Sequence, residues 1–328
     1  MLEQLPVLGI ILGDHAGSSP ELAAKAVLAA KGNYIPVLTG NLERFQISCR
    51  HVEGADSLQV RPLKGRPLED GENTVYFCDV PAGPDIHFSA VTGDSGRLQY
   101  DSMVKMMELE RAGIVDGFAM APITKAGFHA AGLKFSSEFE VYKGYYKTEQ
   151  CAAVIKCEDI FRATVVGHCA FREIVDRLTS DGIVATAHAL LDTMAIFKDR
   201  KNCRIAVAAL NPHAGEDGLF GTEEAVIIQP AIDQLMAEGN QVIGPCPADT
   251  VFLKARNGEV CGVVFLYHDQ GNIAMKSCFF GDGVLIYTGI VSVGHGPAYG
   301  KAGKGTADPK NMISSMEVLR KLVLKKQK

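Results

Sequence analysis

Short apolar runs alternate with helix-patterned stretches along most of the chain, and this alternation limits the fold more than any other feature. The apolar runs are PVLGIIL (6–12), VDGFAMAP (115–122), RATVVG (162–167), RIAVAALNP (204–212) and CGVVFLYH (261–268). The helix-patterned stretches between them include 97–112, 181–198 and 222–238. Strands that alternate with helices of this length predict an α/β fold, in which helices cover both faces of a mostly parallel sheet.

The first helix has a well-marked start. It follows the loop GDHAGSSP, and we assign Ser19 as its N-cap, Pro20 as its first residue and Glu21 to its first turn. This places a polar loop directly after the first predicted strand, at the sheet edge where ligands of α/β proteins bind.

Composition and charge exclude several classes of protein. No apolar run approaches the roughly 20 residues that a membrane span needs. The start MLEQLPVLGIIL has no basic segment, so we expect no signal peptide. The net charge is −5, which argues against nucleic acid as the main partner. The nine cysteines form no C-x-x-C pair and are odd in number, so we expect reduced thiols and a cytoplasmic protein.

Three predicted strands end in a histidine or in a turn that contains one: His168, His213 and His268. Because the carboxyl ends of parallel strands share one sheet edge, these imidazoles could converge on a divalent metal. Acidic residues lie near two of them, Glu216 and Asp269. The alternative is that each histidine is an ordinary hydrogen-bonded loop residue.

Several of these segments resemble signature blocks of the 4-hydroxythreonine-4-phosphate dehydrogenase family, which acts in pyridoxal phosphate biosynthesis. The central blocks are NPHAGEDGLFGTEE (211–224), GPCPADTVF (244–252) and YHDQGNIAMK (267–276). LGDHAGSSPE (12–21) is similar to the family's GDPAGIGPE loop, and APITKAGFHAAG (121–132) resembles its TAPINK segment. The resemblance covers about residues 8 to 308.

The resemblance implies a two-lobed α/β/α architecture like that of isocitrate and isopropylmalate dehydrogenases. We expect a discontinuous cofactor-side lobe of residues 1–125 and 278–328, and a metal- and dimer-side lobe of residues 126–277. It also implies a homodimer with the active site at the subunit interface, acting on a small-molecule substrate.

The resemblance carries over a set of site residues. It implies that His168, His213 and His268 bind a divalent metal (zinc, magnesium, cobalt or nickel), that Asp249 and Asp269 orient ligands or move protons, and that Lys276 contacts the substrate and takes part in catalysis. The implied reaction is oxidation of a secondary alcohol by NAD or NADP, with decarboxylation where a carboxylate lies β to the new ketone.

The segment GHGPAYGKAGKGTADP (294–309) resembles the family's nucleotide-binding loop, which in isopropylmalate dehydrogenases reads similarly to HGSAPDIAGKG. The matching cofactor-binding positions are His295, Gly296, Ala298, Gly303 and Gly305. Gly300 and Lys301 stand where an acidic residue often contacts the ribose, so NADP is as open as NAD.

Three departures from the family leave the substrate open. FSSE (135–138) replaces GHTE, so that Ser136 and Ser137 take the substrate-binding positions; Leu285 replaces an asparagine; and the shortened segment 289–298 lacks the family's arginine. Candidate substrates are 4-phosphohydroxythreonine, a cis-dihydrodiol carboxylate or a sugar acid. A metal-dependent lyase, or a metal- and ligand-binding protein without turnover, are the alternatives outside this class.

Overall fold

The computed structural model describes residues 5–30, 32–67, 71, 73–147, 153–199, 202–279, 283–287, 290–293 and 296–326. The chain divides into two compact units. The first unit comprises Met1–Gln150 and Gly289–Lys328, and the second comprises Cys151–Thr288.

The boundaries of these units differ from those expected at 125/126 and 277/278. The chain leaves the first unit only after residue 150 and returns at residue 289. The physical reason at the first crossing is packing, because Phe128, Val141 and Tyr142 are buried in the same apolar cluster as Ile11. The segment that contains them therefore belongs with the first unit.

The first unit contains a parallel sheet. Its strands are β1 (Val7–Ile11), β2 (Ile35–Gly40), β3 (Gln59–Pro62), β4 (Thr74–Asp79), β5 (Gly117–Met120) and, after the second unit, β12 (Ile290–Val293). The spatial order is β3-β4-β2-β1-β5-β12, and every pair is parallel. The central strand β1 is buried along its whole length, as the apolar run predicts.

The described residues of the first unit form six α-helices. They are α1 (Ser19–Ala29), α2 (Leu42–Ser48), α3 (Gly93–Arg111), α4 (Lys125–Ala130), α5 (Glu138–Tyr146) and α11 (Lys310–Lys326). The predicted N-cap of α1 is wrong by one residue: Ser18 is the N-cap and Ser19 the first helical residue. The hydroxyl of Ser19 donates instead to the carbonyl of Pro122, at 2.6 Å.

The second unit contains a mixed sheet. Its strands are β6 (Ala153–Cys157), β7 (Ile160–Val166), β8 (Arg204–Ala208), β9 (Gln241–Cys246), β10 (Gly262–Tyr267) and β11 (Val284–Tyr287). The order is β11-β6-β7-β10-β8-β9. The last four are parallel, whereas β6 runs antiparallel to both β7 and β11. The predicted α/β class with a mostly parallel sheet is confirmed.

Helices cover both faces of this sheet. They are α6 (Ile174–Arg177), α7 (Ser180–Phe197), α8 (Gln229–Ala237), α9 (Val251–Arg256) and α10 (His268–Cys278). Val264 of β10 packs in one apolar layer with Leu190 of α7 and Leu235 of α8. Its neighbour Val263 packs in the other layer, with Phe252 and Met275. Alternate residues of a strand thus reach opposite helical layers.

The sequence also predicts that the chain has no membrane span and that its cysteines are reduced. Within the described residues, no helix combines the length and apolar character that a membrane crossing requires. The eight cysteines that the structure describes are all free thiols.

Candidate active site

Two of the three strand-end histidines meet at the carboxyl edge of the second unit's sheet. His168 follows β7 after a single glycine, and His268 is the first residue of α10, directly after β10. β7 and β10 are parallel neighbours, with Val166 opposite Tyr267. The two ring centroids consequently lie 4.7 Å apart, with the rings tilted by 41°.

His268 is oriented by the residue that follows it. Its Nδ1 lies 2.6 Å from Oδ1 of Asp269. When Nδ1–H donates to this carboxylate, the lone pair of Nε2 is available to a metal. The carboxylate beside the imidazole therefore acts as an orienting group, as it does in many metal centres.

The third histidine, His213, begins a left-handed turn. All five residues from 213 to 217 have positive φ, between 42° and 80°. Only Gly215 among them is a glycine, and the left-handed conformation costs other residues roughly 1–2 kcal/mol each. A turn of this kind persists only where surrounding contacts hold it, and such turns concentrate at functional sites.

Glu224 binds the backbone immediately before this turn. Its Oε1 accepts hydrogen bonds from the backbone N–H of Leu210 (2.9 Å) and of Asn211 (2.8 Å), and its Oε2 accepts one from the Asn211 side chain (2.9 Å). A Cβ at Gly215 would lie 2.8 Å from Oε2, so only glycine fits there. Glu224 is 7% exposed. Sequence reasoning missed it, because an acidic residue at the start of a helix is usually a surface residue.

His213 has its own carboxylate partner. Its Nδ1 lies 2.6 Å from Oε1 of Glu216, in the same arrangement as His268 with Asp269. The hydrogen bond and the charge of Glu216 raise the pKa of His213, and the charge of Asp249 adds a smaller contribution of the same sign. Asp249 is therefore close enough to His213 to interact with it electrostatically.

His168, His213 and His268 are chemically suited to bind a metal ion. In the structure, the only two that lie close together are His168 and His268. Imidazoles backed by carboxylates are the ligands of many zinc, cobalt and nickel sites. In the described part of the chain, no group of three or more His, Cys, Asp or Glu side chains is placed to hold one ion. The set of His168, His213 and His268 stays a prediction.

The predicted substrate-binding residues differ in their surroundings. Lys276 is exposed on α10, two helical turns beyond His268. Ser136 and Ser137 instead stabilise the start of α5. Ser136 donates from its backbone N–H and its hydroxyl to Glu140, at 2.7 and 2.6 Å, and Ser137 is the N-cap. Their contact with a substrate stays a prediction.

The predicted cofactor segment lies in the first unit. His295 falls outside the described residues, and Gly296 and Ala298 are exposed. Gly303 and Gly305 have φ values of 70° and 67°. The carboxylate of Glu21 accepts a hydrogen bond from the backbone N–H of Gly303, at 2.5 Å. The Gly303 amide is thus bonded to a side chain of α1.

Two residues that sequence reasoning missed tie this segment to the loop after β1. The hydroxyl of Tyr299 donates to Oδ2 of Asp14 at 2.6 Å, and Asp14 is fully buried. Burial raises the pKa of Asp14, and burial together with the bond to Asp14 raises that of Tyr299. The backbone N–H of Ser18 adds a bond to the carbonyl of Pro297, at 2.8 Å. These bonds fix Pro297 and Tyr299 to the loop after β1.

Comparison with known proteins gives a consistent match over nearly the whole chain. Residues 24–319 match the family model described as pyridoxal phosphate biosynthetic protein PdxA. The chain is 33% identical over 327 residues to D-threonate 4-phosphate dehydrogenase of Bordetella bronchiseptica, covering 96% of this chain and 92% of that protein. It is 32% identical to 4-hydroxythreonine-4-phosphate dehydrogenase of Desulforapulum autotrophicum, covering 97% and 96%.

A solved structure agrees with these matches. The crystal structure of 4-hydroxythreonine-4-phosphate dehydrogenase from Klebsiella pneumoniae superposes with a TM-score of 0.85 at 29% identity, covering 98% of this chain and 99% of that one. The similarity therefore extends to both compact units.

Proposed function

Because the chain belongs to the family of the pyridoxal phosphate biosynthetic protein PdxA, we propose that it is a metal-dependent dehydrogenase that oxidises a secondary alcohol of a small hydroxy acid with NAD or NADP. The observation that carries the proposal is the pair of imidazoles, His168 and His268, at the carboxyl edge of a parallel sheet. Relatives that align with 96% and 97% of the chain are named as dehydrogenases of hydroxy acid phosphates.

His168, His213 and His268 would hold the divalent metal. Imidazole ligands favour zinc, cobalt or nickel over magnesium, which prefers oxygen. When bound, such an ion lowers the pKa of the substrate hydroxyl and polarises the carbonyl that forms from it. In the tautomer in which Nδ1–H donates to Glu216 or Asp269, Nε2 of the histidine is left for the metal.

Lys276, Asp249 and Asp269 are the groups that we assign to proton transfer. Asp249 acts electrostatically on His213, and Lys276 is exposed on the helix that begins with His268. A lysine or a carboxylate in such a position can accept the hydroxyl proton or return one to a product carbanion. If the oxidised carbon lies β to a carboxylate, the product is a β-keto acid, which loses CO₂ readily.

The nicotinamide nucleotide would bind at the loop of residues 296–305 and accept the hydride. Bonds from Asp14, Ser18 and Glu21 support this, because a loop that is already ordered loses less entropy when a ligand binds. The choice between NAD and NADP is left to measurement, since Gly300 and Lys301 exclude neither.

For the substrate, we infer a phosphorylated hydroxy acid of the D-threonate 4-phosphate or 4-phosphohydroxythreonine type. The support comes from the names of the relatives, which share the full length of the chain. A cis-dihydrodiol carboxylate or a sugar acid remains the alternative within the class, since Ser136, Ser137 and Leu285 depart from the family pattern.

We also infer a homodimer. Of the large apolar side chains that are exposed in the described part of the chain, all except Val91 lie in the second unit. Phe171, Leu219 and Val226 are 77%, 70% and 62% exposed, and they follow the segments that carry His168 and His213. Exposed apolar groups of this size support an interface beside the histidines. Light scattering of the wild type and of Leu219→Glu would test it, with a monomeric mass expected only for the variant.

We place the protein in the cytoplasm, where cysteines stay reduced. The free state of all eight described cysteines supports this placement.

The test of the proposed function is formation of NADH or NADPH by the purified protein with zinc, cobalt, nickel or magnesium. D-threonate 4-phosphate, 4-phosphohydroxythreonine, D-threonate, sugar acids and dihydrodiol carboxylates would be compared. We expect turnover of a phosphorylated hydroxy acid only when metal is present. Turnover of the dihydrodiols alone would select the alternative substrate, and metal binding without any nucleotide reduction would indicate a binding protein or a lyase.

A further inference from the structure

A buried arginine lies in the second unit, in the middle of β7. Arg162 is 4% exposed. Its Nη1 donates to Oγ1 of Thr164 at 2.8 Å, and its Nη2 donates to Oδ1 of Asn272 on α10 at 2.5 Å. Its Nε is buried without a hydrogen-bond partner. Both acceptors are neutral groups, so they satisfy two donors but do not balance a charge.

The guanidinium is nevertheless charged. Burial lowers the pKa of Arg162 to about 10, which leaves it protonated at neutral pH. Among the described residues, no carboxylate forms an ion pair with it. Buried charges are normally paired, because removal of a charge from water is costly unless an opposite charge compensates for it. The missing counter-charge is the feature that requires an explanation.

Arg162 lies at the border of a partly uncovered sheet face. The strand register aligns Leu285 of β11, Ile155 of β6, Arg162 of β7 and Val263 of β10 in one row across the sheet. Side chains aligned in this way project from the same face. Val263 is fully buried, whereas Ile155 and Leu285 are only partly buried. The row therefore passes from the packed core to a face that is accessible from solvent.

Helix α10 packs against the Arg162 side chain. Gly271 allows the close approach, since a Cβ there would lie 3.1 Å from Nη1 of Arg162. Lys276 follows Asn272 by four residues, so the two side chains lie on the same side of the helix. Lys276 is exposed. A second cation is thus one helical turn from the side chain that covers the guanidinium.

We propose that Arg162 is the residue that recognises the phosphate group of the substrate. The phosphate oxygens replace Oδ1 of Asn272 on Nη2 and bond to Nε, and Lys276 contributes a second positive charge. The guanidinium fork matches phosphate geometry, and two cations match a dianion better than a single carboxylate. This inference rests on the proposed function for the identity of the substrate, but the anion site itself is independent of turnover.

The anion site is tested without catalysis, by calorimetric titration of inorganic phosphate and of acetate. The variants are Arg162→Met, Arg162→Lys and, as a matched control in the same unit, Arg177→Met, which removes a surface arginine paired with Glu173. We expect wild type and R177M to bind phosphate more tightly than acetate. We expect R162M to bind phosphate about 10- to 100-fold more weakly and R162K to be intermediate.

Thermal unfolding separates this role from a purely structural one. Without phosphate, R162M should melt no lower than wild type, because an apolar side chain of similar length replaces an uncompensated buried charge. Phosphate should raise the melting temperature of wild type and not of R162M. A large drop in the melting temperature of R162M, with phosphate binding unchanged in R162K, would overturn the proposal.

Asn272→Asp gives an independent test that keeps the arginine. The new carboxylate would supply the missing counter-charge next to Nη2. We expect N272D to be more stable than wild type and to bind phosphate at least about tenfold more weakly, because the carboxylate competes for the same donors. Phosphate affinity equal to that of wild type would contradict the assignment.

Steady-state kinetics then connect the site to the substrate. R162M should raise KM for D-threonate 4-phosphate and leave KM for D-threonate unchanged. If wild type oxidises the phosphorylated acid and R162M does so with the same KM, the inference fails and the proposed function stands. If wild type binds phosphate through Arg162 and oxidises no hydroxy acid, the anion site stands and the proposed function fails.

Discussion

The imidazoles of His168 and His268 lie 4.7 Å apart between ring centroids, although they come from different segments of the second unit. The pairing follows from the register of β7 and β10, whose carboxyl ends lie side by side. Two imidazoles at this separation, one of them bonded to Asp269, are two of the three residues in the predicted metal ligand set.

His268→Ala should remove the bound metal and the dehydrogenase activity together. One of the paired imidazoles is lost, and a metal held by the remaining ligands is expected to dissociate during gel filtration. Metal content by plasma mass spectrometry and NAD(P)H formation would be measured on the same samples. His188→Ala is the control, because His188 pairs with Glu238 elsewhere on the unit, at 2.9 Å. Full metal content in H268A would refute the ligand assignment.

Asp269→Asn should weaken metal binding without affecting folding. Asparagine still accepts a hydrogen bond from Nδ1, but its neutral carbonyl is a weaker acceptor than the Asp269 carboxylate. Loss of such an orienting carboxylate typically costs about 10- to 100-fold in metal affinity. Competition with a chelator measures the affinity, and the melting temperature should stay close to that of wild type because the Asp269 side chain is 72% exposed. An unchanged affinity would show that Asp269 does not support a ligand.

Ser136→Ala should reduce stability more than it changes KM. Ser136 donates twice to Glu140 at the start of α5, and loss of a helix-end bond of this kind costs about 1 kcal/mol. Glu140→Ala should produce a similar loss, and the double variant should lose less than the sum of the two. Urea unfolding and KM would be measured for all three. A large rise in KM at unchanged stability would instead favour the substrate contact that the resemblance implies.

The sequence predicts the class of the fold and the neighbourhood of the site because both depend on local pattern. The run 261–268 corresponds to β10, and a histidine directly after a buried strand must lie at the sheet edge. The short strands β6 and β11 are not predicted, because Lys156 interrupts the apolar pattern of β6 and the apolar run of β11 is only four residues long. Their antiparallel pairing depends on contacts between distant parts of the chain.

The finer geometry of the site could not be predicted for a similar reason. The left-handed turn of His213 follows a segment that the buried carboxylate of Glu224 binds, and these bonds form only in the folded chain. Gly303 belongs to the predicted cofactor-binding segment, but in the structure its amide donates to the carboxylate of Glu21. The sequence identifies side chains that can bind a ligand or take part in catalysis. It cannot show which of them are hydrogen-bonded to one another in the folded protein.

Tyr299→Phe should destabilise the first unit and weaken nucleotide binding. The change removes the only hydroxyl that donates to Oδ2 of the buried Asp14 among the described bonds, and an unsatisfied buried acceptor costs about 1–3 kcal/mol. The loop 296–305 also loses its hydrogen bond to Asp14, so it loses more conformational entropy when the nucleotide binds. Urea unfolding and calorimetric titration with NAD and NADP would measure the two effects. Tyr145→Phe serves as control, because Tyr145 is a partly buried tyrosine of the same unit whose ring lies under Arg111. Unchanged unfolding in Y299F would refute the role of the bond.

His15 should make the protein less stable as the pH falls below neutrality. Its ring is fully buried, with Nδ1 at 3.2 Å from the carbonyl of Gly13 and Nε2 accepting the N–H of Asn41 at 3.2 Å. Burial lowers the pKa of His15 to about 4, with a smaller contribution of the same sign from the charge of Arg44. In the unfolded chain the ordinary value is about 6.5.

Between these two pKa values, the unfolded chain binds a proton at His15 and the folded protein does not. The free energy of unfolding therefore decreases as the pH falls from about 6.5 to about 4, by up to about 3 kcal/mol from this group alone. His15→Gln lacks the titration, so its stability curve should be flatter. At pH 8 the variant should be the less stable protein, because the buried bonds to Gly13 and Asn41 are disturbed, and the difference should shrink toward pH 4.5. The measurement is urea unfolding of both proteins across this range. The contributions of the other titratable groups cancel in the difference between the two free energies of unfolding. Parallel curves would show that His15 titrates alike in the folded and unfolded states, and its burial would then have no effect on acid stability.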